Sequence, residues 1–273
     1  MKIARFVDES WQVQYGVVEP SADGRAVRAE VIEGNIFGRF SPSGVVVGVK
    51  KLLAPVSPPN VIAIGLNYRD HAKESGMAIP EEPVIFLKAT SSVVGPEDAI
   101  VLPAEAPDEV DYEAELVVVI GKRAKDVSAA EARGVILGYT CGNDVSARDC
   151  QLKRDKQWAR GKSFDTFCPI GPWLVTADAL DPSDLAIKLL LNNAALQNSR
   201  TSELIFGVDE LISFLSRQFT LLPGTVIMTG TPPGVGFALK PPKYLKAGDD
   251  AVVEIEGIGR LRNPVVGPDG RKG

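Results

Sequence analysis

A chain of 273 residues, 45% hydrophobic and 24% charged, has an ordinary globular make-up and the length for one large domain plus a small companion. Its 30 basic and 35 acidic residues leave a net charge of −5, with the basic ones scattered, which excludes an electrostatic footprint for nucleic acid. The opening MKIARFVDES lacks the apolar stretch of a signal peptide, no run approaches the roughly 20 apolar residues of a membrane span, and Cys141, Cys150 and Cys168 form no CxxC pair, so the expectation is a soluble cytoplasmic protein with reduced thiols and no cysteine-bound zinc.

In chain order, Lys2–Val7, Gln12–Val18 and Ala26–Ile32 alternate roughly in polarity and predict short strands, with turns at Gly24 and Gly34. Proline dominates from Pro55 to Pro59, which suits a linker. A boundary there divides the chain into a small β-rich domain (1–55) and a main domain (56–273). Beyond it, Val61–Ile64, Val84–Leu87, Leu116–Ile120, Ile187–Leu191, Thr225–Met228 and Ala251–Ile255 are short runs rich in valine or isoleucine, which predict buried strands. Ser128 and Glu131 form a capping box ahead of a helix over Ala132–Tyr139. Val208, Leu211, Ile212, Leu215 and Phe219 share one face of a second helix. Strands outnumber helices without alternating with them, so the fold class is α+β around a large mixed sheet. The residues from Asp269 to Gly273 read as a frayed end.

The segment Asp111-Tyr112-Glu113-Ala114-Glu115 runs straight into Leu116-Val117-Val118-Val119-Ile120. Side chains at i and i+2 share a strand face, so Glu113 and Glu115 point the same way at a core entrance. Two like charges there repel, and desolvation worsens the conflict; a divalent cation resolves it. Oxygen-only ligands favour magnesium, manganese or calcium over zinc. Asp144, in Gly142-Asn143-Asp144-Val145-Ser146, is the third carboxylate.

His71 is the single histidine. With Asn67 capping a short helix, His71 and Glu74 lie three apart on one face, and a carboxylate orienting an imidazole makes a general-base dyad able to activate water. Gly161-Lys162-Ser163 has the ending of a phosphate loop, but Lys156 stands where that motif needs glycine, and the nucleotide reading fails. Thr229-Gly230-Thr231-Pro232-Pro233-Gly234-Val235-Gly236 follows a strand, and its amides and hydroxyls suit a carboxylate. Lys88, at the end of Val84–Leu87, is a cation for the same purpose.

Together these segments resemble the fumarylacetoacetate hydrolase superfamily. The motifs GLNYRDHAKE, PVIFLK, DYEAELVVVIG, GNDVSARDCQ, GKSFDTFCPIGP and TGTPPGVG occur in the family's order between Asn60 and Arg262. The resemblance implies a mixed β-sandwich or roll with flanking helices, a homodimer, and a small N-terminal domain of the kind many bacterial members carry. It implies that Glu113, Glu115 and Asp144 bind magnesium or manganese. Lys162, Arg148 and Gln151 would surround the substrate, Thr231 would contact its carboxylate, and Lys88 would face it. His71 and Glu74 would ride on a lid.

The substrate so implied is a small 2-oxo carboxylic acid, with neither nucleic acid nor membrane as partner, reacting through a metal-bound enolate. Lys162 adds a second positive charge or returns the proton. Because both dyad residues are present, hydrolysis of a C–C bond in an acylpyruvate-like 2,4-dioxo acid is the first expectation. Isomerisation or decarboxylation of a hydroxymuconate-type dicarboxylate, or of oxaloacetate, is the alternative. A non-catalytic metabolite-binding relative would lack a metal carboxylate, Lys162 or the dyad; none is lacking.

Overall fold

The computed structural model describes residues 1–21, 24, 26–76 and 78–270. Four N-terminal strands, β1 (Lys2–Asp8), β2 (Val13–Val18), β3 (Arg28–Gly34) and β4 (Phe40–Leu53), precede β5 (Val61–Gly65). Helix α1 (Arg69–Ser75) and β6 (Val84–Lys88) follow, then the short strands β7 (Val93–Val94), β8 (Ile100–Val101) and β9 (Val110–Asp111). The central strands are β10 (Ala114–Ile120), β11 (Ile136–Asn143), the short β12 (Ser146–Ala147) and β13 (Cys168–Thr176), with α2 (Ala159–Lys162) just before β13. The chain continues through β14 (Ala186–Leu191), β15 (Ala194–Arg200), α3 (Val208–Gln218), β16 (Val226–Met228), β17 (Asp250–Ile255) and β18 (Gly259–Val266).

One large sheet runs β2-β3-β4-β1-β13-β11-β10-β16-β5-β6, with β7 beside β13; a second runs β15-β14-β17-β18-β8. Most pairs are antiparallel, but β16 and β5 run parallel, so the sheet is mixed. The valine-rich run of β10 lies mid-sheet between β11 and β16 and is buried along its whole length. Its side chains alternate faces. Leu116, Val118 and Ile120 enter the core shared with Ile187, Leu189, Val253 and Ile255 of the second sheet. Val117 and Val119 enter a smaller core with Cys168, Met228, Phe86 and Trp158 on the opposite face. A strand covered on both faces reads as an unbroken apolar run, which is why this one was legible.

The expected strands occur, and the differences have local causes. The capping box at Ser128 is present, its N–H donating to Glu131 Oε2 at 3.1 Å, yet it starts a tight 3-10 turn over Ala129–Val135 rather than a helix over Ala132–Tyr139. From Ile136 the chain is strand β11, where its apolar residues have β10 and β13 to pair with. Phe219 falls one residue past α3 and is partly exposed. Strand β4 had no sequence signal: its surface is largely exposed, so no apolar alternation marks it. Residues 271–273 of the expected frayed end lie outside the described residues. Among the described residues no helix is long and apolar enough to cross a membrane. All three cysteines are buried and free.

The N-terminal strands share the main sheet. Strand β1 pairs antiparallel with β13, Lys2 opposite Val175 and Ile3 opposite Leu174, and Ile3 is 1% exposed in the smaller core. Ile3→Ala should therefore lower the unfolding free energy of the whole chain by about 2–5 kcal/mol, the usual cost of such a core truncation. Urea unfolding followed by fluorescence and circular dichroism should show one transition displaced as a unit. A separate early transition of the first fifty residues would show that they fold alone.

Candidate active site

The register of β10 and β11 builds the site. Ala114 lies opposite Asn143 and Glu115 opposite Gly142, which brings Glu113, just before β10, beside Asp144, just after β11. Two bonds lock the junction: Asp144 N–H donates to Glu113 O, and Glu113 N–H donates to Asn143 Oδ1, each at 2.9 Å. The carboxyl oxygens of Glu113, Glu115 and Asp144 come within 4.8 Å of one another, all three residues buried. The three expected acids thus converge on one point.

Their partners differ. Lys162, at the end of α2, places Nζ 2.8 Å from Glu113 Oε2 and 2.7 Å from Asp144 Oδ2. Burial would weaken its proton affinity, but Asp144 and Glu113 outweigh it and hold the ammonium above its ordinary range, so Lys162 is a cation. For Glu113, burial alone would raise the pKa; Lys162 and Arg148 override it and pull it down to about 2. Glu115 is held instead by the Gly230 N–H at 2.8 Å. Burial, then the neighbouring charges of Asp144 and Glu113, push it well above the usual carboxylate range. Four buried acids (Asp111, Glu113, Glu115, Asp144) face three buried cations (Lys88, Arg148, Lys162), and the strain of the deficit falls on Glu115. A divalent cation among three carboxylates removes that strain, so the residues fit one.

The remaining expected residues are also gathered here. Arg148 Nε donates to Asp111 Oδ2 at 2.9 Å and Nη1 to Gln151 Oε1 at 2.8 Å, while Nη2 lies 2.7 Å from Glu113 Oε1. Its guanidinium stacks 4.5 Å above the Phe237 ring. Thr231 Oγ1 donates to Ala114 O and accepts from Gln197 Nε2. His71 is nearly buried, with Nδ1 3.1 Å from Glu74 Oε2, and Glu74 in turn accepts the Gly234 N–H at 3.0 Å, which ties α1 to the glycine loop. His71, Glu113, Arg148, Gln151, Lys162 and Thr231 all face one cavity of about 370 Å³. Lys88 does not: it is fully buried, its Nζ bonded to Asp144 and, at 3.3 Å, to Val145 O. A strand-end lysine looks solvated on paper. Here β6 is hydrogen-bonded to β5, and the side chain points back under the acid cluster.

Several supporting residues have roles that the sequence did not announce. Asn67 does not cap α1, whose N-cap is Tyr68. Its amide donates to Phe206 O and Thr229 O and accepts from the Phe206 N–H, sewing three loops together. Gly230, at φ +101°, lies so close that a Cβ there would sit 2.7 Å from the Asn67 Cβ. Gln197 of the second sheet reaches Thr231, Pro232 O and the Ala114 N–H. Asp111 accepts from Arg148 and from the Gly236 and Phe237 N–H groups, at 2.7 and 3.0 Å. An acid two places ahead of a Glu-x-Glu pair was a visible cue for Asp111; the amides of Asn67 and Gln197 offered none.

With this geometry in place, comparison with known proteins decides the family. The model for the C-terminal domain of fumarylacetoacetate (FAA) hydrolase matches residues 60–266, and a model for the Rv2993c-like N-terminal domain matches 1–55. The chain belongs to the fumarylacetoacetate hydrolase family. Among family members, a Rattus norvegicus protein named mitochondrial oxaloacetate tautomerase Fahd2a is 49% identical over 216 residues, 78% of this chain and 69% of that one. The structure of a Mycobacterium smegmatis 5-carboxymethyl-2-hydroxymuconate delta-isomerase is 44% identical and superposes with a TM-score of 0.86, covering 98% of this chain and all of that one. A Mycobacterium marinum 2-hydroxyhepta-2,4-diene-1,7-dioate isomerase is 43% identical with the same TM-score, covering 98% of each chain. The family's fold of mixed sheets with few helices is the one found here, and the chain is an enzyme of this family type.

Asp111 accepts from Arg148 and from the Tyr112, Gly236 and Phe237 N–H groups, so its removal would take one of the acidic partners of Arg148 and leave three backbone donors without theirs. Asp111→Ala should cost about 3–5 kcal/mol of unfolding free energy in urea, the usual result of breaking a buried ion pair. Asp111→Asn, which keeps an acceptor for the loop, should cost less. Equal and small losses for both would show that the pair contributes nothing to the fold.

Proposed function

We propose that this enzyme moves a proton at the carbon beside the carbonyl of a small 2-oxo carboxylic acid, interconverting keto and enol forms or shifting an adjacent double bond. The observation that carries the reading is the Glu113–Glu115–Asp144 cluster beside the Lys162 ammonium, with Glu113, Lys162 and His71 lining one cavity. The three carboxylates would hold magnesium or manganese, which when bound supplies positive charge for the oxygen that becomes an enolate. Lys162, kept protonated by its two acids, adds a second positive charge at the same end.

His71 is the proton acceptor in this reading. Its ring lines the cavity and its Nδ1 is paired with Glu74, which orients the imidazole and stabilises it when charged. The C–H bond beside the carbonyl breaks, the proton passes to the imidazole, and the electron pair moves to the 2-oxygen. Return of the proton to the same or a conjugated carbon completes a tautomerisation or an isomerisation. The names of the relatives support this order of preference, since tautomerase and delta-isomerase each describe a proton shift.

Hydrolysis of a 2,4-dioxo acid, the first expectation from the sequence, is the second reading. The same dyad favours it, because a base held 3.1 Å from its carboxylate partner can activate water as well as a C–H bond.

One comparison separates the two. Exchange of the C3 protons of oxaloacetate and of an acylpyruvate into D₂O should be followed by NMR, with added magnesium, beside acylpyruvate cleavage. His71→Ala should slow the exchange by about 10²–10⁴-fold, the usual worth of general-base catalysis. Exchange that survives in His71→Ala while cleavage is lost would give the base to water and the function to hydrolysis. Absence of exchange with every 2-oxo acid tried would overturn the main reading.

A further inference from the structure

The cavity has two chemically different ends. Its floor is charged: Glu113, Arg148 and Lys162, with Gln151, Thr231 and His71 beside them. Its mouth is apolar, formed by Leu66, Ala78, Pro80, Val84, Leu152 and Trp158. Val84 and Leu152 are 39% and 54% exposed, large apolar side chains turned to solvent around an opening. Apolar groups rimming a cleft are a ligand-binding feature rather than a packing one.

Trp158 is a fixed wall. Its ring meets Phe86 edge-on, with centroids 5.5 Å apart and planes at 70°. On its other side it presses on the backbone of Gly65, where an added Cβ would lie 2.4 Å from Cζ3. Glycine at the end of β5 is what lets the indole approach this closely. The result is a flat aromatic surface leading out from the acid cluster.

Both long cations that line the cavity are already engaged at the floor, Arg148 with Asp111 and Glu113, Lys162 with Glu113 and Asp144. Among the described residues lining the mouth there is no cation. A second carboxylate reaching that far would meet apolar side chains and no compensating cation, so it would forgo the contact that an apolar chain gains there. The cavity of about 370 Å³ is also larger than a four-carbon acid fills.

We infer that the site takes 2-oxo acids whose chain beyond carbon 4 is apolar or aromatic, lying along Trp158 between Leu152 and Val84, and that it selects against a remote second carboxylate. This rests on the 2-oxo acid reading for the head group, which sits at the floor.

The test is calorimetric binding to the magnesium-saturated enzyme. One series holds 2-oxo monocarboxylates from 2-oxobutanoate to 2-oxooctanoate, with 4-phenyl-2-oxobutanoate. A second holds 2-oxoglutarate and 2-oxoadipate, and a third the matching alkanoates without the oxo group. Affinity should rise about fourfold per methylene in the first series, the worth of burying one CH₂. Each dicarboxylate should bind at least tenfold more weakly than the monocarboxylate of equal length. The slope should flatten in Trp158→Ala and in Leu152→Ser; the second change is at a half-exposed side chain, so a folding defect is not confounded with loss of the wall. A flat slope in the unaltered enzyme, or tighter binding of the dicarboxylates, overturns the inference. A slope shared equally by 2-oxo acids and plain alkanoates upholds the apolar mouth and overturns the head-group reading. No binding by any series overturns both.

Discussion

Three buried carboxyl groups whose oxygens lie within 4.8 Å of one another, of which only Glu113 lines the cavity, set the terms for the rest of this structure. Charges so placed must be compensated or protonated, because the idealised cost of moving one ion into a low-dielectric interior is of order 20 kcal/mol. Lys162 and Lys88 converge on Asp144 from α2 and β6, and Arg148 reaches Glu113 from the other side. Glu115, touched only at long range by Lys162 and held by a backbone amide, is where the compensation falls short. A cluster one negative charge away from balance fits a cation.

Holding that cluster requires both sheets. The large one supplies the register that sets Glu113 beside Asp144. The second sends Gln197 across the interface to fix Thr231 and the first residue of β10. Asp111 clamps the loop at Gly236 and Phe237 to Arg148, and Asn67 fastens the start of α1 to Thr229 and Phe206. The glycine loop is therefore gripped from below by Asp111 and from above by Glu74, through Gly234. Glu74 holds both the His71 ring and the Gly234 N–H, so the position of α1 and that of the glycine loop are tied through one carboxylate.

Much of the site was legible because charge next to an apolar run is a strong signal. Glu113 and Glu115 stood out against Leu116–Ile120, and the ordered motifs supplied Asp144, Lys162 and Arg148. What escaped notice depends on contacts between distant segments. Nothing near Lys88 announces that Asp144, 56 positions later, will neutralise it. Asn67 reads as a helix cap by local rules, and only the fold offers it Phe206 and Thr229 instead. The helix expected over Ala132–Tyr139 fails for the same reason. Its cap is genuine, but Ile136 onward gains more by pairing with β10 and β13 than by continuing a turn that contains Gly134.

The central claim, that the acid cluster is a cation site, is open to one direct observation. Crystals grown with manganese and measured at a wavelength where it scatters anomalously should give a peak bounded by Glu113, Glu115 and Asp144, with oxygen ligands at about 2.0–2.6 Å. In crystals of Glu115→Gln the peak should weaken or vanish while the surrounding strands stay in place. A fully occupied peak elsewhere, with the three carboxylates still bound only to Lys162, Lys88, Arg148 and Gly230, would contradict it.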